Sequence, residues 1–251
     1  MATEGRSGRL ALLPCRSATA KRTRNALVMI HRNAGLETRE RAWRGWPAVD
    51  ALPVIAPEIL VPKGYRAVVV APHPDDESLG VGGLISRLAM LKRSILLIAA
   101  TDGAASRPGY RSRTPGRAVE ARTLETWHTV QRLGAGRTTI LRAGLDDGEV
   151  ARIERDIEWR LRGLLLPSDV VLATWRHDGH PDHEAVGRLA AHACATLLIH
   201  LVEVPIWAWQ WSFPGDRRIP WKRARRIFLD PVLRARNRLA RLARPYEIVF
   251  V

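Results

Sequence analysis

The sequence predicts an α/β fold, a doubly wound and mostly parallel sheet with helices on both faces. Three features carry that prediction. Short runs of β-forming residues recur along the chain, segments of helical periodicity separate them, and several runs are apolar at every position rather than at every second one. Continuous apolar runs mark strands buried on both faces, as in a parallel sheet lying between two helix layers. Alternation of strand and helix then implies successive βαβ units.

Residues 1–40 are polar and basic with little periodicity, and read as a poorly ordered extension ahead of one domain spanning 41–251. Residues 67–71 (AVVVA) form the first clear strand. Residues 80–92 read as a helix with Leu84, Leu88 and Leu91 on one side, and 94–101 as a second buried strand. Residues 118–133 have helical spacing and stop at Gly134, a C-cap residue. A short strand is expected at 138–141, a helix at 153–166 ended by Pro167, a buried strand at 169–174 and a helix at 184–200. The stretch 217–244 is basic and helix-like, and leads to the apolar residues 248–251.

The length of 251 residues suits one α/β domain, and 46% hydrophobic with 26% charged residues excludes a largely disordered chain. No apolar stretch approaches the roughly 20 residues a membrane-spanning helix needs. The apolar run before Cys15 is short for a signal peptide, and Cys15 and Cys194 form no disulfide framework, so a cytoplasmic location is expected. The formal charge of +15 is unevenly spread. Residues 1–48 hold 10 basic against 3 acidic residues, and 217–251 hold 11 against 2, leaving the middle nearly neutral. Arg-rich ends of this kind suit nucleic acid, acidic lipid or another subunit, or are solvated surface; nucleic acid is not expected for the core.

In a doubly wound sheet, ligands bind beyond the carboxyl ends of the strands, where the strand order reverses. Two polar clusters follow predicted strand ends. The first reads His73-Pro-Asp-Asp-Glu77, and the second runs from His177 and Asp178 to His180-Pro-Asp-His183. Turn chemistry alone would account for one such cluster; two of them at one sheet mouth point to metal chemistry. A catalytic zinc takes three N or O ligands and leaves a position open for water, which two histidines and one carboxylate satisfy. Spacing leaves open which of Asp75 and Asp76 is the ligand.

The paired motifs resemble the signatures of the PIG-L/LmbE-like N-acetylglucosaminyl deacetylases. The resemblance extends from about Trp43 to Gln210 and takes in Leu79-Gly80, Thr101-Asp102-Gly103, Arg122-x-x-Glu125 and Trp207-x-Trp209. It implies a Rossmann-like fold and one Zn2+ (or another divalent ion) per chain, with His73, Asp76 and His183 as metal ligands. It further implies that Asp75 is the general base and that His180 polarises or protonates near the developing oxyanion, with Asp182 orienting His180. The substrate implied is a small amino-sugar conjugate that loses an acetyl or other acyl group. Cleavage of an amide in a larger thiol or glycopeptide conjugate is the alternative, and surface binding through the Arg-rich ends is a reading of another class.

Glu77 reads as a carboxylate supporting the site or the helix start. Asp102, Arg122 and Asp147 fall near the same sheet edge as candidates for sugar hydroxyls, although Glu125 is an alternative partner for Arg122 on the same helix. Trp207, Trp209 and Trp211 alternate with Ala208 and Gln210. In an extended segment their indoles would share a face, flooring a sugar or lipid site or packing on the sheet. The family's Ser-Gln pair before the last strand has no counterpart in this chain.

Overall fold

The computed structural model describes residues 42–43, 46–103, 115–229 and 246–251. Seven strands form one sheet: β1 (Arg66–Ala71), β2 (Ser94–Thr101), β3 (Thr139–Leu145), β4 (Asp169–Thr174), β5 (His200–Val204), β6 (Ala224–Phe228) and β7 (Tyr246–Phe250). Their order is β3-β2-β1-β4-β5-β7-β6. The first five are parallel, and β7 runs antiparallel to both β5 and β6. The chain builds outward from β1 to β3, then returns and builds the other way from β4. The reversal therefore lies between β1 and β4, the two strands whose ends carry the polar motifs.

Four helices cover the sheet: α1 (Asp76–Met90), α2 (Pro115–Arg132), α3 (Glu154–Leu164) and α4 (Pro181–Leu197). A single turn, α5, follows at Ala208–Trp211. Two-sided burial explains the unbroken apolar runs. Ala67, Val69 and Ala71 of β1 pack in one core with α1 and α2, while Val68 and Val70 pack in a second core with α3 and α4. A strand with a period of two supplies both layers only if every position is apolar.

Three sequence expectations need correction. The helix expected to reach His200 ends at Leu197, where Leu198 turns left-handed at φ 56°, and His200 opens β5. The basic stretch from Arg217 holds β6 rather than a continuous helix; the rest of it, residues 230–245, lies outside the described residues. β6 is the edge strand of the sheet, and at Arg226 its outer side is covered by a parallel bridge to Val54. Ile55 N donates to the Arg226 carbonyl at 2.9 Å, and Arg226 N to the Pro53 carbonyl at 2.8 Å. The Trp207–Trp211 segment is helical rather than extended, so its three indoles do not share one face. Residues 1–40, the expected extension, lie outside the described residues. No helix among the described residues is long and apolar enough to cross a membrane.

The last strand locks the first helix. Val81 leaves helical geometry (φ −140°, ψ 26°), kinking α1. The Glu247 carboxylate of β7 then accepts from Gly83 N at 2.6 Å and Leu84 N at 2.9 Å, as a cap would. Burial pushes the Glu247 pKa from 4.5 to about 7 despite those two bonds. An acid titrating higher in the folded chain contributes stability that is complete below its unfolded pKa and lost as pH rises through about 7. Glu247→Gln, which cannot ionise, should therefore flatten the decline in unfolding free energy between about pH 5 and 8, measured by denaturant titration, by about 2–3 kcal/mol. Identical pH slopes in the two proteins would show that Glu247 carries no such linkage.

Candidate metal centre

The first motif leaves β1 at Ala71. Pro72 and Pro74 lack an N–H to extend the ladder and keep the residues before them out of helical geometry. Asp75 adopts φ 110°, ψ −23°, and α1 starts at the next residue. A non-glycine residue in so sparse a region costs about 1–3 kcal/mol, a strain found mainly at functional sites. Asp76 and Glu77 occupy the first turn of α1, where the helix dipole favours anions.

The second motif leaves β4 at Thr174 and starts α4 at Pro181. His180 is the N-cap, its Nδ1 accepting from Asp182 N at 3.2 Å. Gly187 lets α4 lie close: a Cβ there would stand 2.5 Å from Thr174 O and 2.6 Å from Arg176 N, both backbone atoms. His183, one turn earlier on the same helix, is thereby held over the end of β4 and is fully buried.

The two motifs meet. Asp76 Oδ2 lies 3.1 Å from His73 Nδ1 and 3.2 Å from His183 Nε2. Donors on a tetrahedral zinc, bonded at about 2.0–2.1 Å, stand about 3.3–3.4 Å apart. His183 Nδ1 is 2.7 Å from Asp178 Oδ2, which fixes the tautomer and leaves the lone pair on Nε2; that buried nitrogen has no hydrogen-bond partner. These three side chains fit a divalent ion. The imidazoles of His73, His180 and His183 also offer donors within 4.8 Å of one another, a second set able to chelate one.

The electrostatics favour a cation. Burial alone would lower the His73 pKa, but hydrogen bonds and charge from Asp182 and Asp76 raise it to about 10. His183 likewise rises against burial to about 9 through Asp76 and Asp178. Against its own burial, Asp76 is held well below the carboxylate range by His183 and then His73. His180 goes the other way, to about 4, through burial and the charges of His183 and His73. Glu77 is pushed by burial up to about 8, while its Oε2 accepts from Asp75 N at 3.0 Å.

Asp182 meets a partner other than the one expected. Its Oδ2 lies 3.0 Å from His73 Nε2 and accepts from Gly148 N at 2.7 Å, so the carboxylate serves His73; only its backbone N–H meets His180. The candidate sugar contacts are tied up internally. Asp102 pairs with Arg142, and Asp147 Oδ1 accepts from Gly103 N at 2.9 Å. Arg122 is 1% exposed, pairs with Glu125 and donates to the Pro74 carbonyl at 2.7 Å. Trp207 lies beside His180, ring centroids 5.2 Å apart, and His177 is exposed.

Sequence reasoning gave Asp178 no role. Besides His183, it accepts from the backbone N–H groups of Ile206, Trp207 and Ala208, each at 2.9 Å, across a chain separation that no local pattern reveals. Its position inside the second motif was the available signal.

The family model described as PIG-L, GlcNAc-PI de-N-acetylase, matches residues 68–194, just over half of the chain. Among solved structures, the N,N'-diacetylchitobiose deacetylase from Pyrococcus horikoshii is similar at 18% identity and TM-score 0.55, over 82% of this chain and 79% of that one. The teicoplanin deacetylase Orf2, in a zinc-inhibited form, is similar at 18% identity and TM-score 0.54, over 71% and 84%. A conserved protein from Thermus thermophilus is 26% identical at TM-score 0.51, over 71% and 78%. At these identities the likenesses speak for the fold. No curated protein sequence matches the chain.

Removing the charge of Asp178 should loosen His183 without touching the ion. Asp178→Asn is expected to weaken divalent-metal affinity about 10–100-fold, as the loss of such supporting partners commonly does. Competition with a chromophoric chelator measures it, and unaltered affinity would remove Asp178 from the centre.

Proposed function

Because the chain belongs to the PIG-L family of de-N-acetylases, we propose that it is a metal-dependent hydrolase removing an N-acetyl or other N-acyl group from a glucosamine-containing conjugate. One observation carries the reading: His73 Nδ1 and His183 Nε2 lie 3.1 and 3.2 Å from Asp76 Oδ2 at the strand-order reversal, and Asp75 is the adjacent residue along the chain. The names of the neighbouring structures, deacetylases of diacetylchitobiose and of teicoplanin, support an amino-sugar or glycopeptide substrate.

In this reading His73, Asp76 and His183 hold one Zn2+ or similar ion. Such an ion supplies Lewis acidity that makes water nucleophilic at neutral pH. Asp75 takes the proton from the attacking water and returns it to the departing amine, which turns a poor leaving group into a good one. His180 accepts at Nδ1 from Asp182 N, so a neutral His180 carries its proton on Nε2. A neutral imidazole in that tautomer donates a hydrogen bond to the oxyanion as it forms, and burial keeps it neutral. Asp182, through His73 Nε2, keeps the His73 Nδ1 lone pair turned toward Asp76.

The two adjacent aspartates test the assignment. Asp75→Asn should retain metal and lose about 10²–10⁴ in kcat, since an amide cannot accept the proton of water. Asp76→Asn should lose metal affinity, and added zinc should restore part of its turnover. The assay is amine release from N,N'-diacetylchitobiose and a panel of N-acyl glucosamine conjugates, with metal content measured alongside. Zinc rescue of Asp75→Asn but not Asp76→Asn would exchange the roles, and full activity in both would end this assignment of the two aspartates. No amine release by the unaltered protein across the panel would end the hydrolase reading.

A further inference from the structure

The loop joining β1 to α1 has its backbone polar groups engaged one by one. The Pro72 carbonyl accepts from Thr101 N at 2.9 Å and Thr101 Oγ1 at 2.8 Å. His73 N donates to Asp76 Oδ2 at 2.9 Å, and the His73 carbonyl accepts from Asp76 N at 3.2 Å. The Asp75 carbonyl accepts from Ser78 N at 3.0 Å and Leu79 N at 2.9 Å, as the opening of a helix requires. The remaining peptide, between Pro74 and Asp75, is gripped at both ends by ionisable side chains. Arg122 Nη2 donates to the Pro74 carbonyl at 2.7 Å from one side, and Asp75 N donates to Glu77 Oε2 at 3.0 Å on the other.

We infer that Arg122 and Glu77 are positioning residues that clamp the Pro74–Asp75 peptide and so hold Asp75 in its left-handed conformation. The inference rests on the reading of Asp75 as the proton acceptor. Consecutive aspartates on ordinary backbone cannot serve one ion as ligand and one water as base unless their side chains diverge. The positive φ of Asp75, set against the helical Asp76, provides the divergence. That conformation is strained, and strain persists only where surrounding contacts over-determine it. Fixing the plane of peptide 74–75 fixes one of the two dihedral angles that flank Asp75 N.

Burial separates this role from substrate recognition. At 1% exposure, with one arm on the Pro74 carbonyl and another on Glu125, the Arg122 guanidinium is a prop beneath the loop rather than a group facing ligand. The neighbouring loop is shaped to admit it: a Cβ on Gly103 would fall 2.8 Å from Arg122 Nε and 2.8 Å from Pro74 Cδ. Gly103 stands at φ 64° and is itself tied to Asp147. Arg122 and Asp147, both expected near the sugar, thus form with Gly103 a chain of support leading to Asp75. The planar guanidinium reaches carbonyl and carboxylate together, a geometry lysine cannot copy.

Crystallography and kinetics of Arg122→Met and Arg122→Lys test the clamp, with amine release from N,N'-diacetylchitobiose as the assay. In crystals of Arg122→Met, peptide 74–75 should be rotated and Asp75 should leave positive φ. Retention of the present plane and φ overturns the inference whatever the substrate proves to be. In solution, kcat should fall about 30-fold in Arg122→Met and less in Arg122→Lys, with KM within about twofold and metal content unchanged. A raised KM with intact kcat would make Arg122 a substrate contact and overturn the inference. In an Asp75→Asn background, Arg122→Met should cost less than about threefold more, because it acts through Asp75; a full multiplicative loss overturns it. If Arg122→Met does not fold, Arg122→Lys decides on the same split, and unaltered kinetics in it overturns the clamp. Full activity of Asp75→Asn alone would instead strike the reading of Asp75 as the proton acceptor, leaving the crystallographic result to judge the clamp.

Discussion

A single buried carboxylate, that of Asp178, joins the parts of the molecule that must agree for a metal centre to exist. It is fully buried and gathers four donors: the imidazole of His183 and three consecutive backbone N–H groups at the start of α5. Those N–H groups would otherwise be the unsatisfied donors of a helix end, and burial would make each costly. One anion therefore fixes the tautomer of a candidate ligand and the direction in which the chain leaves β5. The Trp211 indole closes the arrangement by donating to the Asp178 carbonyl at 2.7 Å, with a close approach to Gly179 where a Cβ would stand 2.4 Å from Trp211 Nε1. Loop, helix turn and ligand orientation follow together.

The fold was legible where burial on both faces wrote itself into composition. β2 and β4 match the expected 94–101 and 169–174 residue for residue, because their apolar runs end abruptly at polar neighbours. β5 escaped because Ile199 to Val204 follows an apolar helix without a Gly or Pro to mark the break, and Leu198 makes the turn in left-handed geometry. β6 escaped because it shows no period-two alternation: its two buried residues, Ala224 and Ile227, are three apart with arginines between them. The convergence of the two motifs was legible for a topological reason: they follow β1 and β4, neighbours across the order reversal. The partners of the site residues were not legible, because His73 with Asp182 and Asp178 with Ile206 depend on tertiary approach rather than on spacing.

The site gathers negative charge to a degree that only cations can balance. Asp76, Asp178 and Asp182 surround His73 and His183, and both imidazoles are driven well above their usual range as a result. Glu77 and Glu247, whose largest influence is burial, are driven the other way. The same low dielectric thus separates two classes of carboxylate. Asp76 and Asp182, beside imidazoles, are held below the usual carboxylate range, while burial raises Glu77 and Glu247. Imidazole nitrogens set beside carboxylate oxygens offer N and O donors to a metal ion, whose binding would displace the protons these imidazoles otherwise hold.

The polar groups once suspected of meeting a sugar are those the fold has already spent on itself. Asp102 answers Arg142, Asp147 answers Gly103, and Arg122 answers Pro74 and Glu125. Each of these groups is oriented by its partner in the fold, and Arg122 is buried as well. The aromatic side of the site differs. Trp207 makes its hydrogen bonds through its backbone, donating to Asp178 and accepting from Gln210 N, and its ring, half-buried, lies 5.2 Å from His180. A pyranose or an acyl chain laid on that ring would bury apolar surface without displacing a partner. Recognition at this centre would then draw on shape and apolar contact around His180, while the charged residues beneath keep the two aspartates of the first motif apart.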